Sequence, residues 1–145
     1  MNDMAADPSS SDNSMALFSV LHAAHALEDR LEAALGRAGL STAKFSVLTE
    51  LVNAGKPLAL GELASRVSCV RSNMTQLVDR LEADGLVRRV QCPTDRRSIN
   101  AEITESGRVR QTNAAEEVAK LNAEFAAQLG EDDRRAIESL ARAIR

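Results

Sequence analysis

Aromatic side chains are nearly absent from this sequence. Its 145 residues include three Phe and no Trp or Tyr, so aromatics make up only 2% of the chain. Clefts that bind sugars and platforms that bind single-stranded nucleic acid depend on aromatic faces for stacking. The composition therefore argues against both classes of protein.

Residue patterns typical of metal sites and enzyme active sites are also lacking. The two cysteines, Cys69 and Cys92, lie far apart and form no CxxC pair. The sequence shows no glycine-rich phosphate loop, no Ser-His-Asp order with supporting motifs, and no carboxylate pair in an identifiable site. These absences predict a protein that is not an enzyme and that uses no cofactor and no metal.

Long apolar segments are missing as well. No run approaches the roughly 20 residues needed to span a bilayer. The segment from Met1 to Ser14 is polar and acidic, unlike a secretory signal. We therefore expect a cytoplasmic protein with reduced thiols and no membrane association. Residues 1–13, rich in Asp, Ser and Asn, are predicted to form a disordered tail.

Positive charge is concentrated in the middle of the chain. The whole sequence has a net charge of -3, but the segment from Arg66 to Arg97 contains seven arginines and four acids. A basic middle between acidic flanks is typical of a DNA-reading module set in a neutral or acidic scaffold. A solvated charged face is the alternative interpretation of this pattern.

Apolar periodicity predicts helix, helix, strand, helix, helix, hairpin, helix, helix, a mainly α fold with a small β-hairpin. Ser41 and Thr104 are placed to cap the second and fifth helices, and Pro57 begins the short extended piece. The apolar stripe of the first helix consists of Leu17, Val20, Leu21, Ala24, Leu27, Leu31, Ala34 and Leu35. The final helix carries Ile137, Leu140 and Ile144.

The fourth helix, from about Val70 to Asp84, has two chemically different faces. Its apolar face consists of Met74, Leu77, Val78 and Leu81. The opposite side carries hydrogen-bonding groups suited to base edges and phosphates: Arg71, Ser72, Asn73, Thr75, Gln76 and Arg80. One face should pack on a core while the other stays available to a ligand.

A basic hairpin follows this helix. Leu86–Gln91 and Ser98–Ile103 read as strands around a turn, with Arg88 and Arg89 on the first strand and Arg96 and Arg97 at the tip. A polar-faced helix followed by such a hairpin predicts a winged helix-turn-helix. The helix would enter a major groove about 12 Å wide, and the tip arginines would reach the adjacent minor groove.

These segments resemble the MarR family of winged helix-turn-helix transcriptional regulators. The resemblance rests on GELASRVSCVRSNMTQLVDRLEADGLVRR (61–89), DRRS (95–98) and ITESG (103–107), and covers roughly residues 17–145. It implies one domain over 14–145, with a DNA-binding lobe at 41–103 and helical dimerisation segments at 14–40 and 104–145.

The resemblance also implies roles for individual residues. Asp95 would hold an arginine at the base of the wing, while Arg97 and Arg96 would enter the minor groove. Arg71 would contact a phosphate, and the polar positions of the fourth helix from Ser72 to Gln76 would face bases or phosphates. The implied partners are double-stranded DNA, a second copy of the chain, and a small, possibly aromatic acid effector that lowers the DNA affinity of a repressor bound to a palindromic operator.

Two positions depart from the family pattern. Val70 stands where a capping Ser or Thr is common before the recognition helix, and Ala59 stands where a capping Thr is common before the short helix. Each departure should cost about 1 kcal/mol of local capping energy. Neither lies on the face that would read DNA.

Several residues allow more than one interpretation. His22, His25 and Asp29 share a helix face and could present metal ligands; alternatively, His22 and His25 could line an effector pocket with Phe18 and Phe45, or simply cover a polar surface. Cys69 and Cys92 lie near positive charge, which favours reactive thiolates and a redox-sensing role, although Cys69 could be a small core residue.

Two larger questions also stay open from the residues alone. The apolar stripes of the first and last helices could form an intramolecular core, but the length of these helices favours a dimer seam. A winged-helix module that binds protein rather than DNA is the competing function. Its interface would be expected to carry apolar or aromatic anchors instead of a basic tip.

Overall fold

The computed structural model describes residues 9–68 and 71–144. Within these ranges the helices are α1 (Ser9–Arg37), α2 (Thr42–Ala54), α3 (Leu60–Arg66), α4 (Arg71–Ala83), α5 (Glu105–Ala127) and α6 (Glu131–Ala143). The strands are β1 (Leu58–Ala59), β2 (Val87–Gln91) and β3 (Ile99–Ile103), which form an antiparallel sheet in the order β1-β3-β2. The predicted order of elements and the fold class are confirmed.

Local chemistry explains where these helices begin and end. The Ser41 hydroxyl accepts a hydrogen bond from the Lys44 amide at 3.3 Å, and the Thr104 hydroxyl accepts one from the Gly107 amide at 3.0 Å, so both predicted N-caps are present. Helix α3 begins at Leu60, and its N-cap residue Ala59 supplies no side-chain cap, as the sequence indicated. After α4 the chain turns at Gly85, whose φ of 73° is readily adopted only by glycine.

The hydrophobic core of the region from α2 to the hairpin lies between α2, α3, α4 and the sheet. The predicted apolar face of α4 is confirmed, since Met74, Val78 and Leu81 are completely buried and Leu77 is partly buried. These side chains pack with apolar residues of the other elements, among them Leu48, Leu51, Leu63, Leu86, Val87 and Ala101. Burial of this one face fixes which side of α4 points outward.

Helix α1 differs from the sequence prediction at its start. It begins at Ser9, so residues 9–13 belong to a helix, whereas the sequence predicted a disordered tail over 1–13; residues 1–8 lie outside the described part of the chain. Ser and Asp are favourable near a helix N-terminus, where backbone N–H groups need acceptors. The polar composition of residues 9–13 therefore led to the prediction of a disordered tail where the structure has the first turns of α1.

The apolar stripe of α1 divides into two parts. Ala34 and Leu35, near its C-terminus, are buried, whereas Leu17, Val20 and Leu21 are exposed. The C-terminal half packs against α5, where Arg37 bonds to Glu117 at 2.6 Å and Arg30 approaches Glu124 at 3.5 Å. Only part of the stripe therefore forms an intramolecular core.

Helix α6 is exposed along its whole length. Its apolar residues Ile137 and Leu140, and Ile144 just after its end, all face solvent in the single chain. Among the described residues, no helix combines the length and apolarity needed to cross a membrane.

Candidate nucleic-acid interface

The outward face of α4 carries the polar residues that the sequence singled out. Ser72, Asn73, Thr75, Gln76 and Arg80 are all exposed. Arg71 is the first residue of the helix, but its side chain, like Cys69 and Val70 before it, lies outside the described part of the structure. The burial of Met74 and Val78 on the other side fixes this orientation.

Strands β2 and β3 form a hairpin, the wing, whose tip comprises residues 92–98. The Cys92 amide donates to the Ser98 carbonyl at 3.0 Å, and the Ser98 amide donates to the Asp95 carbonyl at 3.1 Å. These bonds close a tight turn that presents Arg96 and Arg97 to solvent. The tip is therefore a defined structure that can position a guanidinium group.

Asp95 acts differently from the expectation. Its carboxylate oxygen Oδ1 accepts a hydrogen bond from the backbone N–H of Arg97 at 3.0 Å, whereas the resemblance implied that it holds an arginine by a charge-assisted bond. An acidic side chain that bonds the amide two residues later is a common way to stabilise a turn. Asp95 thus shapes the backbone of the tip in this structure.

Helix α4 and the wing tip share a cleft of about 370 Å³. Three predicted residues meet there, Thr75 from α4 and Asp95 and Arg97 from the wing tip. The remaining lining residues are Ala59, Leu60, Gly61, Ser98 and Ile99. The structure therefore brings the polar helix face and the basic tip onto one side of the molecule.

Two of the four wing arginines are held by carboxylates. Arg88 pairs with Glu102 across the hairpin, and Arg89 bonds to Asp79 and Glu82 on α4 at 2.6 and 2.5 Å. By contrast, Arg80, Arg96 and Arg97 form no ion pair within residues 9–68 and 71–144. Among the described side chains of α4 and the wing, the positive charges not held by a carboxylate are therefore those of Arg80, Arg96 and Arg97.

The four residues predicted to line an effector pocket do not share one cavity. Phe18, His22 and His25 border an open depression of about 580 Å³ on α1. Phe45 borders a different cleft, of about 270 Å³, between α2 and the end of α3. Phe45 therefore lies apart from the other three in these two clefts, and the expectation of one effector pocket stays a prediction.

The histidines themselves show no metal site. His25 Nδ1 lies 2.7 Å from the Leu21 carbonyl, a bond within the helix. In the described ranges, no group of three or more His, Cys, Asp or Glu side chains is placed to hold a metal ion. The metal-sensing interpretation of His22, His25 and Asp29 therefore gains no support.

Cys92 lies half-buried at the start of the wing tip. Its Sγ is 3.4 Å from the Thr94 hydroxyl, and hydrogen bonds from that hydroxyl and from the amides of Thr94 and Asp95 lower the pKa of the thiol. Burial and the Asp95 carboxylate act in the opposite direction. The redox-sensing hypothesis stays a prediction for Cys92, and the other candidate, Cys69, lies outside the described residues.

We expect Cys92 to react as a thiolate at lower pH than an ordinary cysteine, whose pKa is about 8.5. In a Cys69→Ser background, the rate of iodoacetamide alkylation should reach half its maximum at a lower pH than for an ordinary cysteine thiol measured under the same conditions. Adding Thr94→Val should move the midpoint of this pH profile to higher pH, since it removes the hydrogen bond between the Thr94 hydroxyl and the Cys92 sulfur. Superimposable pH profiles for the two proteins would contradict this assignment.

Comparison with known proteins supplies independent information about this arrangement. A model of the MarR family matches residues 40–99, which include α2, the helix-turn-helix and most of the wing. The regulator MhqR of Bacillus subtilis is 33% identical over 97 residues, or 66% of this chain and 66% of MhqR. Alignments with the similar curated proteins span between 42% and 66% of their lengths.

Solved structures extend the similarity over nearly the whole chain. The MarR-family regulator Sco3205 of Streptomyces coelicolor, in complex with DNA, superimposes with a TM-score of 0.80 and 28% identity, covering 99% of this chain and 91% of Sco3205. MosR of M. tuberculosis, also in complex with DNA, gives a TM-score of 0.68 and 29% identity over 89% of this chain and 95% of MosR. Such proteins are transcriptional regulators and not enzymes, as the sequence predicted for this chain.

Proposed function

Because the chain belongs to the MarR family, we propose that it is a dimeric regulator of transcription that binds duplex DNA through its winged helix-turn-helix. One observation carries the proposal. Thr75, on the exposed polar face of α4, and Arg97 of the wing tip border the same cleft, so the helix face and the tip can approach one duplex. A cytoplasmic location follows from this role.

The two parts of the interface would read different grooves. Asn73 and Gln76 have amide groups that can form paired hydrogen bonds to adenine in the major groove, and Ser72 and Thr75 can bond to bases or phosphates. Arg97, with Arg96 beside it, would enter the minor groove, where A·T-rich DNA concentrates negative potential. Arg71 and Arg80 would contact phosphates and set the register.

The first test is binding to duplexes selected by the purified protein from a random pool, measured over a series of salt concentrations. The logarithm of the affinity should fall linearly with the logarithm of salt, with a slope of about -0.9 for each phosphate neutralised. The DNA upstream of its own gene is a natural second probe. A protein that ignores duplex DNA even at low salt would refute the proposal.

Substitutions should separate the two kinds of contact. Arg97→Ala should weaken binding to many sequences, most strongly with A·T-rich flanks, whereas Gln76→Ala should cost about 1–3 kcal/mol at one base position and relax preference there. Arg142→Ala, which removes an exposed arginine on α6, serves as a control for the loss of charge. If both interface variants bound like the wild type, the assignment of these residues would be wrong.

The dimer is supported by apolar surface that a single chain leaves uncovered. Leu17 on α1 is 59% exposed and Ile144 after α6 is 71% exposed, with Met15, Ile137 and Leu140 exposed as well. A second copy related by two-fold symmetry would cover these faces. It would also place two recognition helices about 34 Å apart, which matches a palindromic operator.

Regulation by a small molecule completes the proposal. The depression at Phe18, His22 and His25 combines an aromatic ring with two imidazoles that could meet the carboxylate of an aromatic acid. Binding there would lower DNA affinity and relieve repression. Titration of candidate aromatic acids into the DNA complex tests this step, with a His22→Ala, His25→Ala variant expected to keep its DNA affinity but lose the response.

A further inference from the structure

Arg89 of β2 makes the most extensive side-chain connection between the wing and α4 in the described structure. Its Nη1 lies 2.5 Å from Glu82 Oε2, its Nη2 lies 2.6 Å from Asp79 Oδ1, and its backbone amide donates to Glu82 Oε1 at 3.1 Å. Its side chain is only 26% exposed, and both carboxylates stand on the outer side of α4. We name this group, Arg89 with Asp79 and Glu82, the wing clamp.

We propose that the wing clamp sets the orientation of the wing relative to α4, and that Arg89 is a positioning residue for DNA recognition rather than a DNA contact. The inference rests on the proposed function and adds a group of residues that determines how well the protein distinguishes one DNA sequence from another. A guanidinium that bonds to two carboxylates in a planar fork constrains angle as well as distance. Because Asp79 lies one helical turn beyond Gln76, the clamp acts directly on the helix that would read bases.

Arg88 provides the internal contrast. It is adjacent to Arg89, but it pairs with Glu102 on the neighbouring strand of the same hairpin. That pair can stiffen the wing but cannot fix its angle to α4. The two arginines have equal charge and neighbouring positions, but only Arg89 is bonded to α4. Arg88 is therefore a matched control for Arg89.

Arg89 could contact DNA or could position the wing, and the two roles predict opposite changes in DNA affinity when Asp79 or Glu82 is neutralised. If Arg89 were a DNA contact, Asp79→Asn or Glu82→Gln would remove a competing carboxylate and strengthen binding to any duplex. If the clamp positions the wing, the same substitutions should weaken binding to the selected duplex even though they make the protein more positive. Binding to random-sequence DNA should stay unchanged or become stronger.

The experiment compares wild type, Asp79→Asn, Glu82→Gln, Arg89→Gln and Arg88→Gln on a duplex selected by the wild type and on random-sequence DNA of equal length. We expect each clamp variant to lose about ten-fold in the ratio of selected to random affinity, the size of one good base contact. Arg88→Gln should lower both affinities alike and leave the ratio unchanged. In the Glu82→Gln background, Arg89→Gln should cost less than it does alone, since the two act as one unit.

Each result has a defined meaning. Tighter binding of the selected duplex by Asp79→Asn and Glu82→Gln, or an unchanged ratio in Arg89→Gln, would overturn the positioning role. Thermal unfolding of every variant checks that the protein is folded at the assay temperature. If Arg89→Gln is not folded, the positioning role is judged from Asp79→Asn and Glu82→Gln alone. Each of these variants keeps one of the two ion pairs of Arg89 and is therefore expected to fold. A wild type that binds neither duplex would refute the proposed function instead of the clamp.

Discussion

Gly107→Ala is expected to lower the free energy of unfolding by about 3 kcal/mol. A Cβ at this position would lie 2.1 Å from the Leu86 carbonyl oxygen and 2.8 Å from Ile103 Cγ1. The closest obstacle is backbone, which cannot rotate away as a flexible side chain can. Helix α5 would have to move from the end of α4, and chemical denaturation monitored by circular dichroism should record the loss.

Gly36→Ala is the matched control for this substitution. Gly36 also lies within a helix, but a Cβ there would meet nothing within 4 Å. Alanine should therefore stabilise α1 by roughly 0.5–1 kcal/mol, the ordinary difference in helix propensity. If Gly107→Ala gave the same small gain as Gly36→Ala, the close approach of α5 to Leu86 would not exist in solution.

This contact joins the turn between α4 and β2 to the start of α5. The Thr104 amide donates to the Leu86 carbonyl at 3.1 Å, and the Thr104 hydroxyl donates to the Gly85 carbonyl at 2.7 Å. The same hydroxyl caps α5 by accepting from Gly107. Thr104 therefore caps α5 and also bonds α5 to the turn that follows α4. These bonds, and the close approach at Gly107, explain why Thr and Gly occupy these positions of the ITESG segment.

Local features of the sequence were sufficient to predict most of the fold. Helical spacing identified the buried face of α4 through Met74, Val78 and Leu81, because a core-facing helix repeats its apolar residues with the period of the helix. The caps at Ser41 and Thr104 were equally predictable, since each depends on atoms within three residues. Exposure of the polar face of α4 then followed from geometry.

Features that depend on distant residues could not be predicted in this way. Charge counting grouped Arg88 and Arg89 with Arg96 and Arg97, because it contained no information on where carboxylates would lie after folding. Acids three residues apart on the fourth helix were a usable signal for an arginine partner, but the choice of Arg89 required the strand position. Likewise, the separation of Phe45 from Phe18 depends on how α1 packs against α5.

Disruption of the proposed dimer should have the largest effect on DNA binding. Glutamate in place of both Ile137 and Leu140 would introduce two charges on the apolar face of α6, which is exposed in one chain but would be buried against a partner. We expect a monomer by light scattering. Operator affinity should fall about 100-fold or more, because two linked half-sites bind far more tightly than one.

The control is Arg135→Ala on the same helix. Arg135 lies on the opposite side from Ile137 and Leu140 by helical geometry, and its partner Glu131 at 3.3 Å is exposed. This substitution changes the charge of α6 in the same direction as one of the glutamates but leaves the apolar face intact, so it should preserve both the dimer and operator affinity. A double variant that stayed dimeric would place the seam elsewhere, whereas a monomer with undiminished affinity would show that one recognition helix is enough.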